Sequence, residues 1–304
     1  MDLPKLEAYQ KRIIEEDKGV IEWPGGSLTV FDHFYRVEVL DRLWRGPSVT
    51  FSPSSQGYDP VSWWQMLSFL TDLGPIYCIW FLEAARDASA WTPAYFATFW
   101  VSAAQLLGIG SVAPIYYFLW VAFGPPIADL IKPGKRAFQC WYFAFLLPLV
   151  LVFHNFEVFT AYLSPDPTTR HYWIWAWQMS PLWIGIANFA SSYIILNRYY
   201  VSMFGRISVL LKVVCTVSAI VWVSVLLISP YSIFDLFSSC FLCLVYQFVE
   251  MYHLGFIELD GFWPLALLPV ALACFGPGVT FVLGWWWRER KLYLASERRG
   301  VTDF

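Results

Sequence analysis

The chain has 304 residues, of which 58% are hydrophobic, 20% aromatic and only 14% charged. Its mean hydropathy is +0.51. Soluble domains carry about a quarter charged residues, so an ordinary soluble reading is excluded, and a net charge of −3 with scattered Lys and Arg excludes a phosphate-tracking nucleic-acid surface.

Residues 1–60 are mixed and charged, without the basic-then-apolar start of a signal peptide. Leu6, Tyr9 and Ile13 recur at helical spacing among Lys and Glu. Phe31, Phe34 and Trp44 occupy a second such stretch beyond the Trp23-Pro24-Gly25-Gly26 break. Both read as amphipathic helices lying on a membrane surface. Apolar blocks long enough to cross hydrocarbon then follow near 64–85, 95–122, 138–160, 172–196, 208–229, 235–254 and 262–287. The expected fold is therefore all-α: a polytopic bundle of about seven transmembrane helices, six to eight being compatible. It comprises an interfacial segment 1–60, a bundle 61–287 with a cavity, and a polar tail 288–304.

The charges conflict with seven crossings. Lys132, Lys135 and Arg136 follow the second block, and Arg198, Arg206 and Lys212 follow the fourth, which marks that face as cytoplasmic. Seven spans place the basic tail (Arg288, Arg290, Lys291, Arg298, Arg299) on the other face. Either the sixth block does not fully cross, or the seventh, broken at Pro269 and Gly276-Pro277-Gly278, crosses twice.

Ionisable groups within apolar blocks are functional candidates by default. Asp72 and Glu83 lie eleven residues apart in the first block, on one helix face and about 16 Å apart along it. Gln65 is on nearly the same stripe. Glu83 has Arg86 at i+3, so an ion pair is its simpler reading. His154 and Glu157 share a face in the third block, as do Glu250 and His253 in the sixth. Each pair has an equally simple reading as a polar contact between helices.

Four histidines, with one Glu-His pair in each order, do not make a di-iron set. No aspartate-rich motif is present to hold Mg²⁺ on a diphosphate. No Gly-x-Ser-x-Gly elbow supports a hydrolase. Cys240-x-x-Cys243 lacks a second pair. The expectation is no metal and no cofactor.

A desolvated carboxyl can deliver a proton where water is excluded. Aromatic faces can stabilise the resulting cation, each by about 2 kcal/mol. With 18 Trp, 17 Tyr and 26 Phe, several of them inside blocks, an aromatic-lined cavity is expected. Such a cavity suits proton-initiated carbocation chemistry or passive lipophile binding equally.

Several stretches resemble the fungal integral-membrane terpene cyclases of meroterpenoid pathways, of the ascofuranone and macrophorin type. They are Tyr58-Asp59-Pro60 leading into Trp63-Trp64-Gln65, Thr71-Asp72-Leu73-Gly74-Pro75-Ile76-Tyr77, Leu82-Glu83 with Arg86, and Gln105-Leu106-Leu107-Gly108-Ile109-Gly110. Ala113-Pro114-Ile115-Tyr116-Tyr117-Phe118, the Trp175, Trp177, Pro181, Trp183 pattern, Phe275-Gly276-Pro277-Gly278 and Gly284-Trp285-Trp286-Trp287-Arg288-Glu289 complete the set.

The resemblance implies metal-independent cyclisation of a farnesyl-type chain on an aromatic or polyketide head, through a terminal epoxide or olefin. It also implies an upstream oxygenase and an endoplasmic-reticulum membrane. Asp72 or Glu157 would deliver the proton, with Glu83, Glu250 and His154 assisting. Gln65, Tyr77, Gln105, Tyr116, Tyr117, Trp175 and Trp177 would shape the bound chain. Two alternatives share the composition: a sterol double-bond isomerase of the emopamil-binding type, and a non-catalytic lipid-binding or transport bundle.

Overall fold

The computed structural model describes residues 3–139, 145–194, 203–229 and 263–298. The chain divides into two compact units, Met1–Leu67 with Val152–Ser180 and Ser68–Leu151 with Pro181–Phe304. The described residues are mostly helical.

The first unit opens with α1 (Leu3–Lys11), a π-helical turn over Arg12–Glu16 and a hairpin of β1 (Val20–Trp23) and β2 (Gly26–Thr29). Pro24 sets the first corner of its two-residue turn, and Gly25, at φ +97°, takes the second, which a side chain would strain. The break expected between two surface helices is therefore a strand pair. Phe31 and Phe34 lie in irregular chain after it, and only Trp44 of that stretch is helical, in α2 (Glu38–Thr50).

The longest helix of the first apolar block is α3 (Pro60–Ala84). Asp59 caps its start, accepting from the Ser62 N–H at 3.1 Å, with Pro60 just inside, where its missing N–H costs nothing. A second Asp-Pro start begins α7 (Pro167–Gln178), whose cap Asp166 accepts from the Thr169 N–H at 2.7 Å. Arg170 of α7 pins the chain around it, donating to the carbonyls of Ser164, Ser55 and Gln56.

In the second unit, α4 (Ala97–Leu107) and α5 (Ile109–Phe123) pack against each other as a hairpin reversed at Gly108, where φ is +81°. Trp100 meets Tyr116 with ring centroids 5.7 Å apart, and Phe123 lines the same groove as Phe96 and Phe99, so the two helices run antiparallel. Eleven residues of α4 extend about 16 Å, half a hydrocarbon core. The block 95–122, expected as one span, enters and leaves by the same end.

The remaining elements are α6 (Leu146–Leu163), α8 (Ser180–Ile194), α9 (Met203–Ile228), α10 (Trp263–Phe275) and α11 (Pro277–Arg298). The block 172–196 divides at Met179 into α7 and α8. The block 262–287 divides at Gly276, again at φ +81°, and α11 continues through residues 287 and 288. The block 235–254 lies outside the described residues. Among the described residues, Leu146–Leu163 and Ile207–Ile228 are long and apolar enough to cross a membrane by length and composition. Seven such helices are not seen among the described residues.

Apolar side chains also cover the outside. On α5, Val112, Ala113, Tyr116, Tyr117 and Trp120 are buried while Ile115, Phe118 and Val121 are exposed. On α9, Leu227 is 80% exposed and Ile220 60%. A helix that is apolar on both faces is typical of a large protein's core or of a membrane span.

Candidate functional site

Glu157 begins the last part of α6, directly after a π-helical turn at Leu151–Phe156. Such turns insert an extra residue and occur often at functional sites. Here the turn carries His154 and Asn155, so His154, Asn155 and Glu157 are all buried in the first unit. Glu157 Oε2 and Asn155 Oδ1 are buried and accept no hydrogen bond. His154 Nδ1 accepts from the Trp177 indole at 3.2 Å, which leaves its proton on Nε2.

Two aromatic side chains adjoin this region, Trp177 at His154 and Tyr35 near Glu157. Trp177 meets Phe51 edge-on at 5.3 Å, and Trp175 stacks with Phe34 at 5.5 Å and tilts against Tyr35 at 5.9 Å. The Tyr35 hydroxyl donates to the Trp175 carbonyl. Burial first, and then the neighbouring Glu157 and Asp41 carboxylates, push the Tyr35 hydroxyl above its ordinary pKa. Trp175 and Trp177 thus serve two different clusters, although both are buried. His171 Nε2 accepts from the Trp175 indole at 3.0 Å and from the Phe31 N–H at 3.4 Å. Burial holds its pKa down to about 4, so it is a neutral structural acceptor.

The second unit holds the other carboxyls. Asp72 is 3% exposed, and its Oδ1 accepts from the Ser218 hydroxyl of α9. A Cβ on Gly278 of α11 would come within 2.8 Å of the Asp72 carbonyl oxygen and 2.9 Å of Oδ1. Three helices therefore close on Asp72, although Oδ2 has no partner.

Glu83 has the ion pair that its spacing suggested, and more. It accepts two bonds from Arg86 at 2.9 and 3.0 Å, one from Arg288 at 3.1 Å and one from the Trp285 indole at 2.6 Å. Glu289 completes the cluster through Arg86, at 2.7 Å. Arg86 and Arg288 sit over the Phe138 and Trp120 rings.

Tyr77 donates to Gln105 at 3.4 Å, and Tyr116, Tyr117, Trp80, Trp100 and Trp120 form a continuous ring cluster in which Trp80 donates to the Tyr117 hydroxyl at 3.1 Å. Gln65 is half-buried, and Glu250 and His253 lie outside the described residues. A groove of about 520 Å³, lined by Trp91, Thr92, Pro93, Phe96, Phe99, Trp100 and Phe123, opens at the outside of the second unit; none of the carboxyls lines it. Among the described residues no group of three or more His, Cys, Asp or Glu could hold a metal ion. Sequence reasoning missed Asn155, Tyr35 and Ser218 as site neighbours. Asn155 and Ser218, polar residues within apolar blocks, carried a signal, and Tyr35 did not.

The chain belongs to the CtvD domain family, which matches residues 9–249. It is 25% identical to a Penicillium polonicum protein named FAD-dependent monooxygenase verC1, across 91% of this chain and 39% of that protein. It is 29% identical to one from Penicillium roqueforti (strain FM164) named FAD-dependent monooxygenase anuJ, across 53% of this chain and 19% of that one. The chain thus spans about two fifths or less of these relatives' lengths. Their names state an activity other than the cyclisation that the resemblance implied, and no solved structure matches.

The described residues do not fit a flavin dinucleotide. Gly108-Ile109-Gly110-Ser111-Val112-Ala113 has the glycine spacing of a dinucleotide fingerprint, yet that motif needs a preceding strand and here follows α4. The described strands form an antiparallel hairpin elsewhere in the chain.

Proposed function

We propose that the chain is a membrane-embedded cyclase of fungal secondary metabolism that closes rings in a farnesyl-type chain on an aromatic or polyketide head. Glu157 is its proton donor. The observation that carries this reading is the buried, unpartnered Oε2 of Glu157, near Tyr35 and beside a π-helical turn. Asp72 is closed in by three helices, and Glu83 already accepts four hydrogen bonds.

In the proposed reaction the Glu157 proton passes to a terminal epoxide oxygen or olefin carbon. The C–O bond or the π bond breaks, and successive double bonds attack the cation, forming C–C bonds. A final C–H proton returns to a base, so the reaction is mass-neutral. Ring faces of Trp177 and Tyr35 stabilise the passing charge, each by about 2 kcal/mol when desolvated, and Trp175 is assigned to holding Tyr35, whose hydroxyl donates to its carbonyl. Tyr77, Gln105, Tyr116 and Tyr117 are assigned to shaping the second unit's interior.

The relatives' names support a place beside oxidation. The longer match leaves about three fifths of that protein outside it, room for a flavin domain, and a flavin monooxygenase is the class of enzyme that makes epoxides. Apolar outer faces on α5 and α9 support a polytopic membrane setting, for which we propose the endoplasmic reticulum, with fewer crossings than seven.

The test supplies a farnesylated phenol, as free olefin and as terminal epoxide, to membranes holding the protein in D₂O. An isomer of unchanged formula, with one carbon-bound deuterium from the olefin or only exchangeable deuterium from the epoxide, supports cyclisation. Glu157→Gln must abolish it while Asp72→Asn, in its folded fraction, retains it. Loss in Asp72→Asn with full turnover in Glu157→Gln reverses the assignment, and no isomer from either substrate removes the reading.

A further inference from the structure

One end of the second unit gathers charge from three distant stretches. Arg86, just past α3, donates to the Arg136 carbonyl at 3.0 Å and pairs with Glu289 of α11 at 2.7 Å. The Asp87 N–H donates to the Ala137 carbonyl at 3.1 Å, and the Gln139 N–H to the Ala85 carbonyl at 2.8 Å. Arg136 donates to Ser296 at 3.4 Å and lies over the Tyr293 ring. Residues 85–87, 136–139 and 288–296 therefore occupy one level.

That level has the composition of a membrane–water boundary. Its outward cations are Lys132, Lys135, Arg290 and Lys291, the last lying over the Trp287 ring. Lys132 and Lys135 pair with Asp129 and Asp87 but remain 58% and 54% exposed, and acidic neighbours weigh little in membrane orientation. Trp91, 83% exposed, and Tyr95 follow Asp87 in the chain; aromatic rings of this kind favour the headgroup level. The α4–α5 hairpin returns to the same end.

We propose that this end of the second unit is a docking surface for the anionic phospholipid headgroups of one leaflet. Residues 86–91, 132–139 and 287–297 all face that leaflet, and α4–α5 is a re-entrant hairpin below it. The inference rests on the bilayer reading above. It removes the charge conflict of the seven-span reading, since the tail cations and Lys132–Arg136 share one side.

The experiment uses the full chain in sealed microsomes. Single variants Ala90→Cys, Lys135→Cys and Glu297→Cys are treated with a membrane-impermeant maleimide and compared with the parent chain, and membranes are extracted with alkaline carbonate. Retention in membranes with all three sites labelled from the same side is expected. Retention with Ala90→Cys and Lys135→Cys on opposite sides overturns the hairpin and this surface while leaving the bilayer reading intact. Release by carbonate overturns both.

A second measurement concerns the lipid. Phosphatidylserine added to detergent-solubilised protein is expected to raise the thermal midpoint by several degrees more than phosphatidylcholine. The variant Lys132→Gln/Lys135→Gln/Lys291→Gln is expected to lose that difference. An unchanged difference in the variant, or none in the parent chain, overturns the headgroup assignment.

Discussion

Replacing Glu83 by Gln separates a structural role from a catalytic one. The carboxylate is fully buried and accepts four hydrogen bonds, three of them from two guanidinium groups. Gln keeps the volume but halves the acceptor capacity and turns an NH₂ group toward an arginine. It also leaves Arg86 and Arg288 with Glu289 as the remaining cluster carboxylate among the described residues. Breaking a buried pair from one side costs about 3–5 kcal/mol because a charge stays behind uncompensated. Total stabilities are about 5–15 kcal/mol, so the loss is large. The assay is thermal unfolding in detergent, followed by Trp fluorescence, beside turnover per folded molecule. Glu83→Gln should lower the midpoint strongly and spare turnover of the folded fraction. Glu83→Gln/Arg288→Met removes one charge of each sign and should regain part of the loss. A midpoint unchanged in Glu83→Gln, or a double variant whose losses simply add, refutes the network as a stabilising unit. A folded, stable Glu83→Gln without turnover would place Glu83 in the chemistry instead.

Gly278→Ala should destabilise by about 1–3 kcal/mol through overpacking, since its Cβ would meet Asp72 backbone at 2.8 Å; thermal unfolding checks it, and an unchanged midpoint rejects the close approach of α3 and α11. Gly108→Ala must hold φ +81° with a side chain and should lower the midpoint although nothing lies within 4 Å of its Cβ. For His171, the folded state resists protonation down to about 4, whereas the unfolded imidazole takes a proton near 6.5. Its contribution is complete above about pH 6.5 and is lost as pH falls toward 4, by about 3 kcal/mol in total. Midpoints measured from pH 7 to 4 should fall along that window, and His171→Asn should flatten the slope.

The helical class was legible in the sequence because its signal is local. Apolar runs mark helices, and a carboxyl in an apolar run stands out. The Glu83–Arg86 pair was readable from i,i+3 spacing. Arg288 and Glu289 were not tied to it, because about two hundred residues separate them from Arg86 and only folding makes the contact. The two Asp-Pro helix starts follow capping chemistry that the sequence spells out. The hairpin at Trp23–Gly26 was legible as a break but not as strand pairing, which depends on Ile21 and Leu28 finding a buried face. The π-helical turn at Leu151–Phe156 left no mark in periodicity, so Asn155 was passed over.

The breaks at Gly108 and Gly276 were not legible in hydropathy. Hydropathy sums composition along a window and is blind to chain direction, so 95–122 scores as one long crossing. Gly108 and Gly276 both take φ +81°, a region closed to most side chains. At Gly108 the residue lets α5 fold back along α4, while at Gly276 it lets Trp222 approach within about 3 Å of where a Cβ would stand. The same composition thus serves two ends: apolar residues face outward on α5, and Tyr116, Tyr117 and Trp120 face inward toward Trp80 and Arg288. Arg86, just past α3, and Arg136, beyond the hairpin, meet at one end of the second unit, where the Arg86 guanidinium donates to the Arg136 carbonyl. The buried ion cluster at the end of α3 and the basic surface above it are then one construction. Glu83 and Glu289 neutralise the arginines that hold the helices together, and the lysines around them are left to face outward.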